Sequence, residues 1–128
     1  LSGGKLLKTR KILIVDDNKH IVTLLKLRLD SHGHQTIVAC DGHQALAMAR
    51  AELPDLIILD CMLPKMDGFH VCRLLKFDEK HRHIPIILCS SRAHKDDIKM
   101  GEEVGADAYV TKPFKGEELM GKVKELLK

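Results

Sequence analysis

The stretch Leu56-Ile57-Ile58-Leu59-Asp60-Cys61-Met62-Leu63-Pro64-Lys65-Met66-Asp67-Gly68 decides how this chain is read. Its opening apolar run is too short for a helix, ends in a carboxylate, and gives way to turn residues at Pro64 and Gly68. The run does not alternate with polar residues, so it reads as a strand buried on both faces, as in a parallel sheet covered by helices. Open α/β sheets bind ligands beyond the carboxyl ends of their strands, and Asp60 stands at that edge.

The same pattern repeats on either side. Lys11-Ile12-Leu13-Ile14-Val15 is a first strand ending in Asp16-Asp17. Asn18 caps a helix with apolar positions Ile21, Leu24, Leu25 and Leu29, stopped by Gly33. Thr36 to Ala39 is a short second strand, and Asp41-Gly42 turns into a helix through Ala45, Leu46 and Ala49 that stops before Pro54. After Asp60, a third helix begins near Asp67 with Phe69, Val71, Cys72, Leu74 and Leu75. Ile84 to Cys89 is strand four, ending at Ser90-Ser91, and a helix with few large apolar residues follows from about His94 to Val104. Ala108-Tyr109-Val110 is strand five, Lys112-Pro113-Phe114 a turn, and the last helix carries Leu119, Val123, Leu126 and Leu127.

Five strand–helix units predict an α/β fold with one parallel sheet and helices on both faces. Right-handed crossovers favour the doubly wound strand order 2-1-3-4-5, with the connection direction reversing between strands one and three. In that order the polar strand ends converge: Asp16 and Asp17, Asp60, Ser90 and Lys112.

Three carboxylates in one crevice repel one another unless a cation sits among them. Mg²⁺, or Mn²⁺, suits such oxygen donors and keeps several waters. Asp17, Asp60, a backbone carbonyl just beyond Asp60 and waters held by Asp16 would suffice. The chain has neither GxGxxG nor a Walker loop, so a phosphoryl donor must come from elsewhere. An Asp can itself be the nucleophile and form an aspartyl phosphate. A metal, the Lys112 ammonium and the Ser90 hydroxyl would then meet the developing charge.

Composition narrows the alternatives. The 128 residues suit one domain, and 45% hydrophobic with 30% charged residues is a globular balance. No apolar run approaches a membrane span and the N-terminus lacks a signal-peptide core, so the expectation is a cytoplasmic protein without membrane contact. The net charge of +3 is spread over scattered Lys and Arg, and the aromatic residues form no stacking platform, which argues against nucleic acid. The four cysteines Cys40, Cys61, Cys72 and Cys89 form no CxxC pair and read as reduced, mostly packed thiols. His32-x-His34 and His81-x-His83 lack neighbouring Cys ligands and read as surface histidines. Residues 1–9 read as a flexible lead-in and 10–128 as the domain.

Each site residue alone has a plain explanation: an Asp after a strand caps a helix, a Lys before Pro belongs to a loop, and Ser90 caps helix four. Their conjunction is informative, because each ends an apolar strand, in the order acid pair, acid, hydroxyl, lysine. With Ile14-Val15-Asp16-Asp17, Asp60 through Gly68, Pro85 through Ser90, Gly105-Ala106-Asp107 and Tyr109 through Phe114, the chain resembles the receiver domain of bacterial two-component response regulators. The resemblance runs from Lys11 to Lys128.

That resemblance implies a flavodoxin-like (βα)5 fold and a phosphoacceptor, Asp60, served by a histidine kinase or histidine phosphotransfer protein. It implies Mg²⁺ on Asp16, Asp17, Asp60 and the Met62 carbonyl, with Ser90 and Lys112 as catalytic partners and a cis Lys112–Pro113 peptide. From the residues alone Tyr109 is an aromatic packed at a strand edge; the resemblance makes it a switch, turning inward as Ser90 moves toward the phosphoryl group. The helix four–strand five–helix five surface would change with it and act on an output domain, a partner or a second copy. Enzymatic content would be limited to phosphotransfer onto Asp60 and hydrolysis from it.

Some positions depart from the family pattern. Ser91 stands where Ala or Gly is common. Met62 and Arg92 occupy positions that modulate water access, and a bulky Met beside a cationic Arg suggests a long-lived phosphoryl state. Ile98 and Ala108 replace charged members of the dimer network found in receivers of winged-helix regulators, which weighs against that output. Two rivals remain: a flavodoxin-like cofactor module, disfavoured because Asp16-Asp17 would repel a cofactor phosphate, and a pseudo-receiver interaction module that is not phosphorylated.

Overall fold

The computed structural model describes residues 9–128. Apart from Thr9, the lead-in expected over residues 1–9 lies outside the described residues. Among the described residues, five strands alternate with five helices: β1 Lys11–Val15, α1 Lys19–Ser31, β2 Gln35–Ala39, α2 Gly42–Glu52, β3 Leu56–Asp60, α3 Gly68–Lys76, β4 Ile86–Ser90, α4 Lys95–Glu103, β5 Ala108–Thr111 and α5 Gly116–Leu126. All pairings are parallel, and the strand order is β2-β1-β3-β4-β5, as expected from the crossover rule.

Side-chain alternation along the strands divides the core between the two faces of the sheet. Leu13, Val15, Ile57, Leu59, Ile86 and Leu88 pack with Ala45 and Ala49 of α2 and with Phe69, Val71, Cys72 and Leu75 of α3. Ile12, Ile14, Ile58, Ile87 and Cys89 pack on the other face with Leu25 and Leu29 of α1 and Leu119 and Val123 of α5. Every residue of β3 and β4 is buried, which explains their unbroken apolar runs.

The helix starts follow local capping chemistry. Asn18 accepts from the His20 and Ile21 N–H groups, Asp41 from Gln44 and Asp67 from His70, each satisfying a first-turn donor that the helix leaves free. Gly33, at φ +83°, follows the C-cap of α1, where a left-handed backbone ends a helix without a Cβ clash.

Two expectations need correction. Strand four begins at Ile86 rather than Ile84, because Pro85 has no N–H for the ladder and the Ile84 N–H bonds back to the His81 carbonyl. His81 is not a surface histidine: it is 7% exposed and its Nδ1 bonds to the Asp78 carboxylate. The turn between α3 and β4 folds this ring inward, while His83 stays exposed.

Candidate functional site

The carboxyl ends of β1, β3, β4 and β5 meet at one edge of the sheet. Asp16 follows β1 with its N–H on the Ala39 carbonyl, and its Oδ1 accepts from the Asn18 N–H at 2.9 Å. Asp60 is the last residue of β3, 6% exposed, and its Oδ1 accepts from the Met62 N–H at 3.3 Å. Carboxylate oxygens of Asp16, Asp17 and Asp60 lie within 4.8 Å of one another, and Asp17 faces solvent. Three hard oxygen donors so close together fit a divalent cation such as Mg²⁺.

Lys112 enters from beyond β5. Its backbone N–H donates to the Ser90 carbonyl at 2.7 Å, and the Lys112–Pro113 peptide is cis, as the resemblance implied. The ammonium lies 2.8 Å from Asp16 Oδ2 and 3.3 Å from Asp60 Oδ1. Burial, followed by the Asp16 charge, raises the Asp60 pKa, with Lys112 acting in the opposite direction. Burial disfavours the Lys112 ammonium, but the Asp16 hydrogen bond and the Asp60 and Asp16 charges outweigh it and hold its pKa above the ordinary value.

The loop after Asp60 is shaped by close backbone approach. Met66 N–H reaches the Pro64 carbonyl at 2.7 Å across Lys65, which sits at φ +69°, a left-handed conformation uncommon for a non-glycine residue. Gly68 opens α3 against the backbone at the end of β3; a Cβ there would lie 2.2 Å from the Asp60 carbonyl oxygen. No other residue fits that position without moving the backbone that carries Asp60.

Ser90 is fully buried at the end of β4, and its Oγ accepts from the Arg92 N–H at 3.0 Å. The Tyr109 hydroxyl donates to the Arg92 carbonyl at 2.7 Å, while its ring lies 6.5 Å from that of Phe69. Gly101 of α4 makes room for it, since a Cβ there would meet the ring at 2.9 Å. Serine, loop and tyrosine therefore form one hydrogen-bonded chain through Arg92.

The structure thus brings together Asp16, Asp17, Asp60, Ser90 and Lys112, with Met62, Arg92 and Tyr109 around them. Sequence reasoning missed three contributors. Phe69 and Gly101 form the Tyr109 niche, and Asp97 pairs with the Arg92 side chain at 2.8 Å. Asp97 lies in the first turn of α4, and no spacing rule links it to Arg92.

Comparison with known proteins agrees with this geometry. The sequence model of the "Response regulator receiver domain" matches residues 12–124. The chain is similar to the alkaline phosphatase synthesis transcriptional regulatory protein PhoP of Bacillus subtilis, 44% identical over 93% of this chain and 49% of that protein. It therefore spans about half the length of this relative. Among solved structures it resembles the receiver domain of a signal transduction histidine kinase from Syntrophus aciditrophicus, with TM-score 0.86 and 39% identity over 92% of this chain and 89% of that one. It also resembles the receiver domain of a sensor histidine kinase from Pseudomonas aeruginosa, with magnesium coordinated in its active-site cleft, at TM-score 0.85 and 32% identity over 94% and 98% of the two chains. By fold and by sequence, this chain belongs to the response regulator receiver domain family.

Proposed function

We propose that the chain, over residues 10–128, is the phosphoryl-accepting part of a two-component signalling protein, with Asp60 as the acceptor. The observation that carries this reading is the cluster around Asp60: two further carboxylates and the Lys112 ammonium at one strand edge. The donor is the phosphohistidine of a sensor histidine kinase or a histidine phosphotransfer protein. An ionised Asp60 oxygen attacks phosphorus, the P–N bond breaks, and the imidazole nitrogen keeps the electron pair. This makes the domain a regulator rather than a conventional enzyme.

A Mg²⁺ or Mn²⁺ ion, held by Asp16, Asp17, Asp60 and the Met62 carbonyl, would supply charge neutralisation for the transferred oxygens. Lys112 exchanges part of its bonding with Asp16 and Asp60 for a phosphoryl oxygen. The Ser90 hydroxyl accepts from Arg92, so its own hydrogen is available for another phosphoryl oxygen. The Lys112 ammonium already lies beside the Asp60 carboxylate, where negative charge develops, and Ser90 moves toward it as the phosphoryl group arrives.

The signal leaves through Arg92. Ser90 bonds its backbone N–H and Tyr109 bonds its carbonyl, so displacement of Ser90 reaches Tyr109 through two hydrogen bonds. Phosphorylation biases the positions of this loop and ring, and the surface of α4, β5 and α5 follows. That surface serves an output domain, a partner protein or a phosphorylation-dependent homodimer. Similarity to PhoP favours transcriptional output from a segment outside the matched half. The domain itself makes no nucleic-acid contact in this reading and works in the cytoplasm. Among the described residues, no helix is long and apolar enough to cross a membrane.

Incubation with acetyl phosphate and Mg²⁺, followed by intact mass, tests the reading. One phosphoryl group on the wild type and none on Asp60→Asn is the expected outcome. No incorporation under any donor would leave only a pseudo-receiver interaction module.

A further inference from the structure

The corner between β2 and α2 supplies none of the acidic residues, yet it touches both segments that carry them. On one side the Ala39 carbonyl accepts from the Asp16 N–H at 3.2 Å. On the other, the Gly42 N–H points to the Pro64 carbonyl at 3.4 Å, and Asp41 Oδ2 lies 3.6 Å from Lys65 Nζ. Pro64 and Lys65 belong to the loop that leads from Asp60 past Met62 to Gly68. The corner itself is held by two interlocking bonds. Asp41 Oδ1 accepts from the Gln44 N–H at 2.8 Å, and Gln44 Oε1 accepts from the Cys40 N–H at 2.7 Å.

Contact is closest at Gly42. A Cβ there would lie 1.9 Å from the Met66 carbonyl oxygen and 2.6 Å from the Met66 carbonyl carbon and Cβ. None of these atoms is the far end of a flexible side chain, so none can swing aside. An Asp-Gly pair before a helix has an ordinary explanation, a turn that uses glycine for its positive φ. Gly33 and Gly105 have such a φ, and Gly42 does not. What position 42 requires is the missing side chain, because two backbones meet there. The Asp41–Lys65 pair adds little to the contact, since the Lys65 side chain is 67% exposed.

We propose that Gly42 is a positioning residue for divalent-cation binding: through it the β2–α2 corner packs on Met66 and sets the loop after β3 in register with Asp16. The inference rests on the reading of the acidic cluster as a Mg²⁺ site. That ion takes donors from both segments, Asp16 from one and Asp60 with the Met62 carbonyl from the other. Mg²⁺ demands near-octahedral geometry, so a donor displaced by a shifted loop lowers affinity. The corner acts as a brace on the donors without touching the ion, as groups that orient metal ligands do.

The test titrates MgCl₂ into the full chain and reads the dissociation constant from amide chemical shifts. Gly42→Ala should bind Mg²⁺ about tenfold more weakly than wild type. Lys76→Met, destabilised at a distance from the site, should bind as wild type does. Asp41→Ala adds no atom but frees the corner, and should weaken binding in the same direction as Gly42→Ala. Asp41→Asn keeps the cap and should not. Wild-type affinity in folded Gly42→Ala would overturn the brace, and so would equal weakening in Lys76→Met, which would mean that affinity follows global stability. If Gly42→Ala does not fold, the Asp41 pair decides, and equal affinities in Asp41→Ala and Asp41→Asn overturn it. A wild type that shows no Mg²⁺-dependent shifts at Asp16, Asp17 and Asp60 would instead sink the cation reading, and the brace with it.

Discussion

Lys112 Nζ bonds to Asp16 Oδ2 at 2.8 Å although 96 positions separate the two residues in sequence. The contact closes the site: it ties the end of β5 to the end of β1 across the two strands between them. The same ammonium also neutralises part of the charge at Asp60.

Replacing this lysine should therefore affect both stability and chemistry. Lys112→Met leaves buried Asp16 and Asp60 without their cation, and without added metal the unfolding free energy should fall by about 2 kcal/mol. Phosphorylation by a small donor should slow by about a hundredfold, as when one preorganised donor is removed from a transition-state site. Denaturant melts and initial rates by intact mass measure the two effects separately.

Mg²⁺ should stabilise the folded chain. At ten times its dissociation constant the ion adds about 1.4 kcal/mol, which for a chain of this size raises Tm by about 5 °C. Asp17 is exposed, so Asp17→Asn should fold normally and lose most of that shift. An Asp17→Asn melt that responds to Mg²⁺ as the wild type does would remove Asp17 from the ligand set.

Away from the site, Lys76 carries more weight than its place at a helix end suggests. Its ammonium bonds to Asp107 at 2.8 Å and to the Ile84 and Arg82 carbonyls. Asp107 in turn accepts from the Ile86 N–H at the start of β4. Lys76→Met should cost about 2–3 kcal/mol in denaturant melts, since it leaves charged and carbonyl acceptors poorly satisfied.

The thiols give a pH prediction. Burial pushes Cys61, Cys72 and Cys89 up to about 12. A thiol whose pKa is raised by folding contributes stability below its unfolded value and loses it as pH climbs through the folded value. Stability should accordingly fall between about pH 9 and pH 12. At pH 8 a thiol reagent should label the exposed Cys40 quickly and the other three only on unfolding. Rapid labelling of more than one native thiol would contradict this packing.

Much of this could be read from residue order because parallel sheets leave plain signatures. Fully buried strands are apolar runs, and their polar ends are forced to one edge, so Asp16, Asp60, Ser90 and Lys112 were legible as a group. The start of strand four is not legible, because Ile84 is as apolar as the residues that follow Pro85 and is buried with them, while the missing Pro85 N–H sets the boundary. The burial of His81 is not legible either, because a polar HxH pair says nothing about which way a turn folds. The Arg92–Asp97 pair depends on the rotamers of both side chains, and sequence periodicity does not encode them.

The most direct measurement is chemical trapping of the phosphoryl site. Protein phosphorylated with acetyl phosphate and Mg²⁺ is reduced with borohydride, which converts an aspartyl phosphate to homoserine, and is then mapped by peptide mass spectrometry. The account predicts homoserine at position 60 and at no other carboxylate. Reduction at Asp16 or Asp17, or none in protein shown by intact mass to carry phosphate, would contradict it.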